Sequence, residues 1–492
     1  MTRASRVLAV WLTPVAVLAL PTALAARGPA GLWQGLALAF APLIILGLAS
    51  TRSETISNAS RGDGEPLFAV VTLLITVGML LWANMELAGN AAAWLGARRW
   101  QGIAFAAVMG WVLTAWRPLH RSAPGLLVVA ALAALVPLAQ LVWATGLGPL
   151  AAWDRVATQP AFRFPPGSPW VTVGRSLALA RDGKPLVFEE VHRVSAPVGG
   201  VLRARTLDGT RLADVQWVLA PGQTVTLRAG DELVRGTPLR LRFEADRRVP
   251  GAPPSGMSWA EGRPRRLAER VGLLVTLLAG GAALLRSGLT ARLSRRGVAI
   301  VAGGVLFVLF WAQGWAIYAM LQSPDVFLGG VTPERFLELP GVALFADPLR
   351  RGLQALLLVA GLAAFLASTV ALRERLGAMD RTGGGEIGHD PGLWAGLFGG
   401  AALASLWPVD PWALTVLALG GAGSSLGPAA LCSPPPGRAL ATTAGAVGLV
   451  VFATVAAAQL GGASGELWGA VVAYPALAGA PAGLLVLWLG RR

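Results

Sequence analysis

Charge is scarce in this chain of 492 residues: Asp, Glu, Lys and Arg make up 14% of it, where a soluble domain carries about 25%. That scarcity excludes an ordinary soluble globular protein. With 54% hydrophobic residues and a mean hydropathy of +0.60, the chain belongs to the membrane class. A single cysteine, Cys432, excludes an intrachain disulfide, and beside Ser433-Pro434-Pro435-Pro436 it reads as a small apolar residue at a helix end. The three histidines, His120, His192 and His389, are not spaced for a metal site, and none falls in a predicted membrane helix where it could ligate haem. Lysine is represented by Lys184 alone, so the net charge of +15 comes from arginine. These arginines lie mostly at the ends of apolar runs, where they anchor helices to anionic leaflets; the balance therefore does not point to nucleic acid. Gly383-Gly384-Gly385-Glu386 lacks the Lys-Ser/Thr of a phosphate loop. No metal and no cofactor is expected.

What the chain does have is long apolar runs. A spanning helix needs about 20 mostly apolar residues, and twelve runs qualify: roughly 7–26, 31–50, 66–88, 100–116, 125–148, 268–286, 297–320, 352–372, 392–408, 411–431, 439–460 and 467–489. The first run, ending Ala23-Leu24-Ala25, also resembles a signal peptide. The pair within 392–431, joined only by Val409-Asp410-Pro411, reads either as two spans or as a re-entrant hairpin. Taking the N-terminus as cytoplasmic assigns sixteen arginines to inside segments and six to short outside loops, as the positive-inside rule requires. The expectation is a polytopic α-helical protein of a bacterial-type plasma (inner) membrane, with both termini cytoplasmic. Residues 1–148 form an N-terminal membrane region of about five helices. Residues 149–267 form an extracytoplasmic β-rich domain, and 268–492 a C-terminal membrane region of about seven helices with an outer loop at 321–351.

The β assignment rests on a change of period. Leu177 and Leu179 precede Asp182-Gly183, and Leu186 and Phe188 follow; Leu202 and Ala204 precede Asp208-Gly209, and Leu212 follows. Alternation broken by Asp-Gly predicts tight hairpins. Val225 and Leu227, then Leu239, Leu241 and Phe243, continue the alternation, and Pro221-Gly222 marks a turn. Seven or eight short strands suit a small all-β sandwich or barrel, and Gly251–Gly256 reads as a Pro/Gly linker back to the membrane. In the outer loop, Thr332-Pro333-Glu334 is a helix start.

Few residues carry candidate chemistry. Glu86, Gln140 and Gln313 are polar residues in predicted membrane helices, and such groups are costly unless partnered or functional. Glu189, Glu190 and His192 bring two carboxylates and an imidazole together on a predicted strand, either as an acid/base or metal site or as a solvated strand edge. Asp325, Asp347 and Asp410 are outward carboxylates that a membrane transferase could use as general base. No catalytic set emerges. The features favour a non-enzymatic multi-pass subunit that presents its β domain for binding or assembly of an envelope complex. Its partners would be membrane lipid and a membrane or extracytoplasmic protein. Two alternatives stay open: a transporter or flippase of a lipid-like substrate, and a glycosyltransferase-type enzyme using a lipid-linked donor.

Overall fold

The computed structural model describes residues 8–9, 20–27, 41, 44–45, 67–94, 97–115, 123–164, 171–173, 186–196, 198–208, 211–233, 239–261, 267–289, 294–322, 347–379, 390–407, 409, 411–432, 436–460 and 474–490. The chain is mostly helical. Twelve spans are predicted; among the described residues five helices are long and apolar enough to cross a membrane: Phe68–Ala92, Pro124–Trp143, Arg296–Tyr318, Arg351–Gly377 and Ala439–Ala458. Three more apolar helices, Val271–Leu284, Pro391–Ala404 and Ala476–Leu489, are shorter. The first two predicted spans lie almost wholly outside the described residues, as do Asp325, Asp410, the expected helix at Thr332 and the glycines at 383–385. The side chain of Asp347 is likewise not described.

The helices are α1 (Leu20–Arg27), α2 (Leu67–Trp94), α3 (Arg99–Ala115), α4 (Ala123–Thr145), α5 (Pro149–Ala157), α6 (Gly256–Glu261), α7 (Leu267–Leu289), α8 (Arg295–Gln322), α9 (Asp347–Met379), α10 (Pro391–Ala404), α11 (Pro411–Ser425), α12 (Gly427–Leu431), α13 (Arg438–Leu460) and α14 (Ala476–Leu489). α4 shows why such segments are membrane helices. Its 23 residues include no charged one, and at 1.5 Å per residue it extends about 35 Å, enough for a hydrocarbon core of about 30 Å. One side is exposed at Val128, Leu132, Leu135 and Val136, while Leu127, Ala130, Ala133, Ala134 and Leu141 are buried. α9 is the most enclosed span, 72% of its apolar window being buried, against 22% for α13; it packs along α4.

Small residues let α11 sit against its neighbours. A Cβ on Gly423 would lie 2.7 Å from the Gly280 amide nitrogen of α7, and one on Gly448 of α13 would lie 2.1 Å from the Ser424 carbonyl oxygen. With no water to drive association between membrane helices, such approaches gain contact area directly. The helix breaks at Leu426. Pro428 has no N–H to offer the Ser424 carbonyl, so α12 starts anew.

Between α5 and α6 the chain forms two four-stranded antiparallel sheets. The strands are β1 (Val171–Val173), β2 (Leu186–Val187), β3 (His192–Ser195), β4 (Gly200–Asp208), β5 (Arg211–Leu219), β6 (Thr224–Leu227), β7 (Glu232–Leu233) and β8 (Leu239–Phe243). The orders are β1-β8-β3-β6 and β2-β7-β4-β5. β4 and β5 pair from Gly200↔Leu219 to Asp208↔Arg211, so the chain reverses within the two residues between the strands. Gly222 turns the chain from β5 to β6 at φ +77°, a conformation glycine adopts without strain. Each sheet buries one side: Leu202 and Ala204 in one, Val194, Leu227, Leu241 and Phe243 in the other.

The β region is closely joined to the helices. Gly251–Gly256 turns tightly into α6, where a Cβ on Gly256 would meet the Val156 carbonyl of α5. Trp153 and Trp259 pack with centroids 5.5 Å apart, and the Trp259 indole N–H donates to the Ala25 carbonyl of α1 at 2.8 Å in a buried position. The Tyr318 hydroxyl of α8 donates to the Leu147 carbonyl beyond the end of α4, at 2.7 Å.

Candidate functional site

Two polar places in the helical region stand out. The first is Glu86 on α2, 1% exposed. Three groups from different positions satisfy it. The Trp82 indole, one turn earlier, donates to Oε1 at 3.2 Å. The Arg99 guanidinium of α3 forms an ion pair with Oε2, and the backbone N–H of Val409, between α10 and α11, also donates to the carboxylate. A buried carboxylate without such partners would be too costly to keep ionised. Arg99 is 27% exposed, so water reaches the cation although it scarcely reaches the anion. Asn84 Oδ1 and Arg99 Nε are buried without a hydrogen-bond partner among the described residues.

The second place is on α4, at Gln140. Both amide atoms of Gln140 are buried and have no hydrogen-bond partner among the described residues. Two contacts fix its level on α8: Gly314 packs against Leu138, with a Cβ there 3.3 Å from the leucine, and Tyr318 bonds to Leu147. Gln140 therefore stands level with the turn between Gly314 and Tyr318. That turn includes Trp315, which stacks on Trp311 at 5.0 Å; both indoles and Tyr318 are buried. Gln313, on the same stretch of α8, is half-buried. An unpartnered buried amide on α4 and, at the same level on α8, large aromatic faces are the two kinds of group that hold a polar solute: rings cover its apolar surface and an amide fixes its orientation.

The sheet residues do not converge as a site. His192 is 1% exposed and sits among Phe188, Phe164 and Phe243, with ring centroids at 5.1, 6.0 and 6.2 Å. Its Nδ1 has no hydrogen-bond partner among the described residues. Burial lowers its pKa to about 4, against a smaller opposing effect of the Glu190 charge, so it is neutral at pH 7. Glu189 points outward and pairs with Arg248, while Glu190 accepts from the Arg248 amide at 3.4 Å. Both carboxylates precede β3; Glu189 is turned to Arg248, while Glu190 is near enough for its charge to act on the imidazole. Among the described residues no three His, Cys, Asp or Glu side chains stand close enough together to hold a metal ion.

Sequence reasoning missed the partners more than the residues. Trp82 was within reach at i−4 from Glu86. Arg99 and Val409 carry no local signal, nor does the convergence of Trp311, Trp315 and Tyr318 with α4. Arg373 and Arg375, buried near the end of α9, were read only as orientation markers; Arg375 donates to the Ala283 carbonyl of α7 at 3.3 Å.

No protein-family model and no curated protein matches the sequence. Among solved structures, the chain resembles a Na+-coupled sialic acid symporter in a substrate-bound outward-open state, at a TM-score of 0.52 and 12% identity, over 99% of this chain and 89% of that one. At that identity the likeness establishes the fold. This is a multi-pass integral membrane protein. The finding overturns the expectation of a non-enzymatic assembly subunit. That expectation drew on the β region and on the absence of a catalytic set, neither of which distinguishes a subunit from a transporter.

Proposed function

We propose that this protein is a membrane transporter for a small polar solute, with Gln140 and the aromatic turn Trp311–Tyr318 contributing to the solute path. The fold shared with a symporter over almost the whole chain carries the reading. Gln140 supports it, because a buried amide with no partner is disfavoured in a membrane helix unless something else bonds to it. The described residues of that place include no charge, which favours an uncharged, hydroxyl- or amide-bearing solute over an ion. Twelve spans, cytoplasmic termini and an extracytoplasmic β domain over 149–267 complete the proposed topology, supported by sixteen inside arginines against six. The lipid of the surrounding bilayer is the partner this reading requires.

The test is uptake by the purified chain in vesicles, scanned over uncharged sugars, polyols and amides under sodium and proton gradients. Gln140→Leu is the informative variant. Replacing an unpartnered amide by an apolar group of similar size leaves stability unchanged or raises it, so the variant should fold at least as well and lose uptake by about tenfold or more. Undiminished uptake in Gln140→Leu removes the residue from the path, and absence of transport across the whole panel removes the proposed solute class.

A further inference from the structure

We propose that Glu86 and Arg99 form a proton-operated lock on one end of the helical bundle. The inference deepens the transporter reading and rests on it for its purpose. The geometry gathers three chain segments onto one carboxylate: α2 through Glu86 and Trp82, α3 through Arg99, and the connection between α10 and α11 through the Val409 N–H. In the topology proposed above, all three lie at the outer face. The carboxylate thus meets all three at once.

Beneath the lock, Ala83 and Leu87 of α2 pack with Leu414 of α11, and Met79, Trp82 and Trp412 link them to the main core. The carboxylate's bonds lie at the outer end of this junction and add to its apolar packing. Arg99 Nε is buried without a hydrogen-bond partner among the described residues and can bond when the arrangement changes.

The step is a proton transfer. A proton from the outer solution adds to a Glu86 carboxylate oxygen, making an O–H and cancelling the negative charge. The ion pair to Arg99 ends, and the guanidinium, already 27% exposed, keeps its charge and is taken up by water. The neutral acid is a poorer acceptor for the Trp82 and Val409 N–H groups, so all three ties weaken together. Loss of the proton restores them. Among the described residues no other charged side chain is shown at this point. Arg98 on the α3 side is exposed; α10 and α11 carry no charged residue; the described charges of α9 at its other end are Arg373, Glu374 and Arg375, while Arg351 is exposed.

The experiment is cysteine accessibility in the full chain, reconstituted in vesicles with Cys432→Ser as background. The reporter is Ala83→Cys, at a position 0% exposed, and the reference is Leu406→Cys, at one 57% exposed. A membrane-impermeant maleimide is applied from outside, and dividing by the reference removes the effect of pH on thiol reactivity. The expected ratio rises about fivefold or more between about pH 8 and about pH 5. With Glu86→Gln added, it is high at both values. Trp82→Phe, a milder change, should move the rise toward higher pH. A ratio that does not change with pH, or a pH dependence that survives Glu86→Gln, overturns the lock. If labelling is flat while Gln140→Leu still abolishes uptake, the lock is wrong and the transporter reading stands.

Discussion

Glu86 and His192 are each 1% exposed, yet the two regions of the molecule treat them in opposite ways. In the helical region the carboxylate is met by partners: Arg99, Trp82 and Val409 supply a cation and two N–H donors. In the β region the imidazole gives up its charge and is packed as one more ring among three phenylalanines. The difference follows from what each site can provide. Helix ends that meet bring free N–H groups and an arginine together. The inner faces of two small sheets bring only side chains, and those are apolar. A buried ionisable group is therefore a functional signal only once its partners are known. The one with partners joins three segments, and the one without fills a core.

Arg99→Ala should break this contrast most strongly. It leaves Glu86 buried without its cation, a change that costs about 3–5 kcal/mol in buried pairs, seen as a lower denaturant midpoint for the protein in micelles. The loss should shrink at acid pH, where the carboxylate takes a proton instead. His192 gives the next effect. Its pKa is about 4 when folded and about 6.5 when unfolded. The unfolded chain therefore binds the extra proton between those values, and stability falls as pH drops from about 6.5 to about 4, by on the order of 3 kcal/mol. In His192→Phe this slope should vanish while stability near pH 7 is kept. Equal slopes in both proteins would mean the imidazole is not neutral in the fold. Trp82→Phe is the smallest change. It removes one 3.2 Å bond to the carboxylate and should cost about 1 kcal/mol, measurably less than Arg99→Ala; a larger cost would mean that the indole, not the arginine, holds the charge.

Much of the architecture was legible because it depends on local pattern. The reversal between Asp208 and Arg211 and the turn at Pro221-Gly222 lie near where alternation and turn chemistry indicate, and Leu239, Leu241 and Phe243 form the buried row of β8. His192 was readable too, for it shares the parity of Val194 along β3, and that parity points inward. The ion pair was not readable. Glu86 and Arg99 are thirteen residues apart on different helices, and Val409 is hundreds of positions away; nothing in a linear sequence joins them. Gln140 was singled out as a polar residue in an apolar run, either partnered or functional. Its lack of a hydrogen-bond partner among the described residues depends on how the helices round α4 are aligned, which the sequence does not show. Functional class was hardest of all, because no motif in the sequence fixes a reaction, a cofactor or a substrate.

The bond from Trp259 to Ala25 has a consequence in time. It joins residues 234 positions apart, and a ribosome adds about 5–20 residues per second. α1 therefore waits on the order of 10–50 s after its own synthesis before the indole that caps its carbonyl exists. During that interval Leu20 and Leu24, buried in the finished protein, have only lipid or an insertion factor against them. Assembly of this end of the molecule is set by translation rather than by helix formation, and synonymous changes that slow the ribosome between these two residues should lengthen the vulnerable period without altering a single side chain.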